Sequence, residues 1–184
     1  MTISSGYFSE TELKKLDITF GNNVLISKKC SIYTSNFKVG SNVRIDDFCV
    51  IKGNIIIGSN VHIASFCQLE GQQSIIMENF SGLSSRVSIF TQSDDYSGKS
   101  LTNPMIHEKF KNVKKGKVEI KEHVIVGTNS VVLPGVKINE GSAVGAFSLI
   151  NKDLEPWSVY AGIPSRKIKE RSKEILKLVE NIKN

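Results

Sequence analysis

From Val39 onward an aliphatic residue recurs at every sixth position: Val39, Ile45, Ile51, Ile57, Ile63 and Leu69. The series slips and resumes at Met77, Leu83 and Ile89. After a longer interruption it continues through Ile120, Val126, Val132, Ile138, Val144 and Ile150. An earlier stretch, Phe20, Ile26 and Ile32, is cast in the same mould. A period of six suits neither an amphipathic helix nor a coiled coil. It suits short strands joined by tight turns, three faces to a coil, each coil burying its aliphatic residues on the coils above and below. Position two of the repeat is often glycine (Gly21, Gly40, Gly58, Gly127, Gly145), expected to give the turn a positive φ. Position five is usually small or β-branched, as at Val43, Cys49, Val61, Cys67 and Ser148. The predicted fold is an all-β solenoid, a parallel β-helix of hexapeptide repeats.

Two segments break the pattern. Residues 90–117 are rich in polar and turn residues, with Ser97-Gly98, Asn103-Pro104 and Lys114-Lys115-Gly116-Lys117. A long loop flanked by strict repeat points to function. At the C-terminus, Ile168 to Ile182 spaces apolar residues between basic ones, which predicts an amphipathic helix capping the stack. Near the N-terminus Ser9 followed by Glu12 forms a capping-box pattern for a short helix. The expected organisation is a cap segment over residues 1–19, a β-helix over 20–155 with a protruding loop at 90–117, and a C-terminal extension with its capping α-helix over 156–184.

The 184 residues suit one domain, and no apolar run approaches the length that spans a bilayer. The polar N-terminus lacks the order of a secretory signal, so a cytoplasmic location is expected. The 24 basic against 18 acidic residues give a net charge of +6, concentrated in Lys109–Lys121 and Arg166–Lys183. That sign fits an anionic partner, and a phosphorylated small molecule is expected rather than nucleic acid or membrane. The stretch Lys109–Lys121 holds one aromatic residue, Phe110, and offers no stacking ladder for bases. The three cysteines, Cys30, Cys49 and Cys67, all fall at position five, as small packing residues do. His62 and His123 occupy different repeat positions and do not converge as metal ligands would, so no metal is expected.

The run Val126-Gly127-Thr128-Asn129-Ser130 to Gly135, with Val144-Gly145-Ala146-Phe147-Ser148 and Tyr160-Ala161-Gly162-Ile163-Pro164-Ser165-Arg166, resembles the hexapeptide-repeat acyltransferases of the galactoside/maltose O-acetyltransferase-like branch. The resemblance implies a left-handed coil, a homotrimer with active sites between subunits, and acetyl-CoA as co-substrate. It carries CoA contacts onto Thr128, Ala146, Asn151, Lys152, Arg166 and Lys169. A closer likeness lies in Val43-Arg44-Ile45-Asp46-Asp47-Phe48, Gly82-Leu83-Ser84-Ser85-Arg86 and Ser93-Asp94-Asp95-Tyr96-Ser97-Gly98. These are similar to acetyltransferases of surface-polysaccharide (O-antigen) clusters, most of all those acting on dTDP-4-amino-4,6-dideoxyglucose.

Acetyl transfer from a thioester requires a held acceptor, a route for its proton and a stabilised oxyanion. Where the resembling enzymes carry a histidine early in the inserted loop, this chain has Asp94, followed by Asp95. A carboxylate is a weaker base than imidazole for a sugar hydroxyl, yet it suits an amine. The expectation is therefore N-acetylation of a nucleotide-linked amino sugar, with Asp94, Asp95 and His123 as candidate catalytic residues. O-acetylation of a sugar hydroxyl is the alternative, and a non-catalytic β-helix a remote one.

Overall fold

The structure, a computed structural model, describes residues 6–183. The first five residues of the expected N-terminal segment and Asn184 lie outside it. Between them the chain winds into a triangular solenoid of parallel strands. Val43–Ile45 pairs in parallel with Val24–Ile26 on one side and with Val61–Ile63 on the other. The same ladder continues through Gly82–Leu83, Ile125–Val126, Ala143–Val144 and Ser158–Ala161 to form the first face. The long strands Ser31–Val39, Val50–Ile57 and Gln68–Met77 each build part of the second face, turn a corner and build part of the third. That continuity is why those two faces form one nine-stranded sheet while the first face stands as an eight-stranded one.

The repeated aliphatic residues all point inward. Ile45, Ile51, Ile63, Leu69, Ile89, Ile120, Val126, Val132, Ile138 and Ile150 are each 0% exposed. At roughly 1.5–3 kcal/mol for each fully buried side chain, this column is the main favourable term against the entropy of ordering the coils. Position five fills the space between columns. The thiols of Cys30, Cys49 and Cys67 donate to the carbonyls of Asp46, Ala64 and Ser84 at 3.1, 3.2 and 3.2 Å. The Cys30 thiol is held well above its ordinary value, first by its contact with the Cys49 thiol and then by burial, so it is no nucleophile.

The slip in the period is absorbed at one corner. Eight residues rather than six separate Leu69 from Met77, and the strand registers shift between Thr34 and Asn36 and between Gly53 and Ile55. Gly53 turns here with φ +86°, and a Cβ on it would lie 2.6 Å from the Gly71 carbonyl carbon. The loop of residues 91–117 leaves from this same glycine corner, and Val118–Ile120 rejoins the third face beside Ile75–Met77 without loss of register.

The position-two glycines do not serve the expected purpose. Positive φ falls instead two places later, mostly on non-glycine residues. On one corner these are Asn23, Asn42, Asn60, Phe80, His123 and Trp157; on the next they are Phe48, Phe66, Arg86, Asn129 and Phe147. The glycines at position two are needed for close approach: a Cβ on Gly40 would sit 2.6 Å from the Gly58 carbonyl carbon, and one on Gly127 2.6 Å from Ala146 N. The positive-φ residues offset strain by stacking on their copies. Asn23 Nδ2 donates to Asn42 Oδ1 at 3.0 Å and Asn42 Nδ2 to Asn60 Oδ1 at 3.2 Å. The same corner then changes from amides to rings, with Phe80 stacked on His123 at 5.2 Å.

The two ends compare differently with the sequence pattern. Ser9 and Glu12 do form a capping box at the start of the helix Glu10–Lys15, and Leu13 from that helix is buried. At the other end, Arg166–Glu170 is a strand antiparallel to Ser158–Ala161, and the helix begins only at Ile175. The helix therefore has nine residues where Ile168 to Ile182 predicts fifteen, with Ile175, Leu176 and Val179 half-buried and Leu178 and Ile182 exposed. The alternation Arg166-Lys167-Ile168-Lys169 satisfies a strand as well as a helix, and the free edge of Ser158–Ala161 decides for the strand. Among the described residues no helix is long and apolar enough to cross a membrane.

Gly141 is another glycine closed to replacement. It has φ +66°, and a Cβ would fall 2.4 Å from the indole of Trp157. Gly141→Ala is expected to destabilise the protein by about 1–3 kcal/mol through overpacking and backbone strain. A lowered midpoint in urea with an unchanged slope checks this.

Candidate functional site

The inserted loop is pinned at its base. Gln92–Ser93 pairs antiparallel with Lys114–Lys115. Thr91, 0% exposed, donates its hydroxyl to the Glu70 carbonyl at 2.7 Å and accepts the Gln73 N–H at 3.0 Å. Farther out, Leu101 bridges to Lys111, and Glu108–Phe110 makes one 3-10 turn with His107 as its N-cap. Between the loop and the second face lies a cavity of about 430 Å³. Lys52, Glu70 and Phe90 from the solenoid form its floor, and Asp94, Asn103, Glu108, Lys111 and Lys115 its walls. Lys111 is bound to Glu108 at 2.7 Å and holds that carboxylate below its ordinary pKa.

The adjacent aspartates are divided between two tasks. Asp95 accepts Ser97 N–H at 2.9 Å, Ser97 Oγ at 2.9 Å and Ser100 Oγ at 2.7 Å, bonds that lower its pKa and order the loop. Asp94 accepts the Asn103 N–H at 3.2 Å and lines the cavity. His123 lines neither this cavity nor the groove described next. It is 8% exposed at the asparagine corner, between Phe80 and Trp157, and Arg171 donates to its carbonyl at 2.8 Å. Its ring packs one coil on the next.

On the first face, beyond the phenylalanine corner, a groove of about 290 Å³ is lined by His62, Ala64, Gly82, Leu83, Ser84, Ser85, Ile125 and Thr128. Thr128 and Ala146 stand on successive coils, the Phe147 N–H donating to the Thr128 carbonyl at 2.8 Å. Farther along the stack the exposed hairpin strand brings Arg166 opposite Ala161 and Lys169 opposite Val159. Asn151 and Lys152 are exposed just after the strand Leu149–Ile150. Lys167 is committed to Glu155 and Glu170, at 2.7 Å each, which raise its pKa. Lys152, Arg166 and Lys169 make no ion pair with a described residue. Thr128, Ala146 and these free cations thus lie along the later coils, while Asp94 sits on the other flank of the phenylalanine corner. Lys52, Glu70, Ser84 and Ser85 complete the two linings. Ser84 and Ser85 lie at repeat positions whose outward direction follows from the period, whereas Lys52 and Glu70 become site residues only because the loop folds over them.

The sequence pattern of the bacterial transferase hexapeptide family (six repeats) matches residues 38–71 and 117–152. The dTDP-4-amino-4,6-dideoxy-D-glucose acyltransferase of Escherichia coli is 41% identical over 177 residues, 94% of this chain and 92% of that protein. The chain belongs to the hexapeptide-repeat acyltransferases. AntD, an N-acyltransferase from Bacillus cereus, has been solved with dTDP and 3-hydroxybutyryl-CoA; it is 45% identical, covers 96% of both chains and superposes with a TM-score of 0.92. A serine-to-cysteine variant of AntD has been solved with dTDP-4-amino-4,6-dideoxyglucose and coenzyme A (44% identical, 97% of both chains, TM-score 0.93). A maltose O-acetyltransferase from Clostridium difficile 630 shares the fold alone, at 23% identity over 89% of this chain and 75% of that one, TM-score 0.57. The solenoid is accordingly the left-handed β-helix of the family, and the protein is an acyl-CoA-dependent acyltransferase.

Because its hydrogen bonds depress the Asp95 pKa, its contribution to loop order is complete above the ordinary carboxylate pKa of about 4 and is lost as pH falls through the lowered value. Asp95→Ala is expected to leave the solenoid folded and open the loop to protease at neutral pH, as acid does to the wild type. Limited proteolysis followed by mass mapping of residues 94–111 checks this.

Proposed function

We propose that the protein transfers the acetyl group of acetyl-CoA to the sugar amine of a dTDP-linked amino-dideoxy sugar, dTDP-4-amino-4,6-dideoxyglucose, for a surface polysaccharide such as O-antigen. The observation that carries this reading is Asp94. It is the carboxylate of its pair that lines the cavity, beside Lys111 and Lys115, whose charges suit a nucleotide diphosphate. Support comes from the AntD complexes and from the fact that AntD variants include substitutions at an aspartate and at a serine.

In this reading Lys152, Arg166 and Lys169 meet the phosphates of CoA, with Asn151 beside them. The pantetheine arm passes the small residues Ala146 and Thr128 and bonds to main-chain groups. The acceptor nitrogen attacks the thioester carbonyl carbon and the C–S bond breaks. The amine proton leaves through Asp94, and the CoA thiolate is the leaving group that finally takes it up. Where the amine arrives as an ammonium, the Asp94 carboxylate orients it and raises its pKa.

The cavity that holds Asp94 and the groove that holds Thr128 face opposite flanks of one corner and share no lining residue. The reading therefore places each active site between two copies of a homotrimer, one giving the loop and the next the groove. The exposed Phe48, Phe66, Phe147, Leu178 and Ile182 suit such contacts. A cytoplasmic setting, where acetyl-CoA and nucleotide sugars are made, belongs to the same proposal.

Mass spectrometry of reactions containing acetyl-CoA and either dTDP-4-amino-4,6-dideoxyglucose or simple glycosides tests the reaction, with acetylation of the amine expected and of glycoside hydroxyls not. Asp94→Asn is expected to lower kcat by roughly 10²–10⁴ if it accepts the proton, and mainly to raise KM if it only orients. Arg166→Ala is expected to raise the KM for acetyl-CoA roughly tenfold and to leave that of the sugar close to its original value. Light scattering should give about three times the 20.3 kDa chain mass.

A further inference from the structure

Three carboxylates and three lysines line the cavity under the loop. They are not evenly paired. Glu70 lies 3.6 Å from Lys52 on the floor and accepts Gln68 Nε2 at 3.1 Å. Asp94 accepts the Asn103 N–H. Glu108 faces the loop's own lysines instead. Its Oε1 is 2.7 Å from Lys111 Nζ, and the charge of Lys115 reaches it at longer range; both help to hold the carboxylate below its ordinary pKa. Lys115 is exposed and makes no ion pair with a described residue.

The two partners of the Glu108–Lys111 pair differ in freedom. The Lys111 side chain is 6% exposed and that of Glu108 73%. Lys111 is fixed through its backbone, bridged to Leu101 and donating its N–H to the Glu108 carbonyl at 3.0 Å. A buried ammonium without a counter-charge is costly, and it has three protons to place. Glu108 is under no such constraint. Its side chain makes no bond within the 3-10 turn that carries it, so it can swing into water by a change of rotamer. The loop therefore presents a fixed cation held by a carboxylate that is free to leave.

On the reading that this cavity takes the nucleotide-linked sugar, we infer that Glu108 is a built-in competitor for the phosphate site. Its carboxylate occupies the place of a phosphoryl group on Lys111 and gives it up when a nucleoside diphosphate binds. Carboxylate and phosphate cannot share the ammonium without repelling each other, so one must go. A diphosphate has a second phosphoryl group for Lys115, which Glu108 attracts only from a distance, and that second contact drives the exchange. While the cavity is empty, Glu108 keeps the buried ammonium paired. The consequence is an affinity for the nucleotide lower than the two lysines alone would give.

Isothermal titration calorimetry of the whole chain with dTDP tests this. Lys111→Met is expected to weaken binding about tenfold or more. Glu108→Gln keeps the shape and removes the charge, and it is expected to tighten binding about threefold to tenfold. The opposite signs are diagnostic, because a pair that only holds the loop in shape would make both substitutions weaken binding. In a Lys111→Met background, Glu108→Gln should gain at most about twofold, since the contested cation is gone. Unchanged or weaker dTDP binding in Glu108→Gln would overturn the inference and leave the acceptor reading in place. A Glu108→Gln loop that opens to protease would overturn it too, by showing the pair to be structural. A wild type that binds no dTDP would instead remove the acceptor reading, and the inference with it.

Discussion

Everything in this molecule depends on the hydrogen-bonded stacking of one coil on the next. Parallel ladders fix the rise at about 4.8 Å per coil, so each inward side chain lands on its counterpart one coil away. A continuous column of Ile, Val and Leu satisfies that geometry on all three faces, and each coil is buried only because its neighbours are present. The corners obey the same spacing. Asn23, Asn42 and Asn60 bond in a ladder, and Phe48 stacks on Phe66 at 5.1 Å. The close approach also excludes a Cβ from Gly40 and Gly127.

That rigidity is what makes the site possible. A groove on the outside of a solenoid is a set of equivalent positions at fixed intervals, and an extended ligand reads it as a ruler. Thr128 and Ala146 lie on successive coils, and the free cations of the C-terminal hairpin lie beyond them. The loop of residues 91–117 departs without disturbing the core, because Val118–Ile120 resumes the register of Ile75–Met77. It can therefore carry Asp94 over the second face while Asp95, tied to Ser97 and Ser100, keeps the loop in shape.

The core was legible because burial imposes a period, and a period of six in Ile, Val and Leu has one structural solution. The loop was legible as an interruption of that period, and the capping box from Ser9 and Glu12 alone. The reason for the glycines was not. Positive φ and close approach both select glycine, and only the coordinates show that Asn42 and Phe48 take the positive φ while Gly40 yields room. The C-terminal strand was misread as helix because Arg166 to Glu170 alternates in a way both periods tolerate. Its pairing with Ser158–Ala161 is a tertiary choice. The roles of Asp94 and Asp95 could not be separated in sequence, since their difference lies in which serines the loop folds toward each. His123 stood among the candidate catalytic residues, yet its place in a ring stack follows from an αL corner position shared with Phe80 and Trp157.

In the proposed reading, the loop carboxylate of one copy works on a donor held in the groove of another. Mixing two inactive variants tests it directly. Asp94→Asn disables the loop, and Ala146→Trp, at an exposed position, blocks the groove. Unfolded together at equal amounts and refolded, they should recover about a quarter of wild-type activity, the share of interfaces that pair an intact loop with an intact groove in a random homotrimer. A mixture no more active than either variant alone would contradict the claim and place loop and groove of one active site in the same chain.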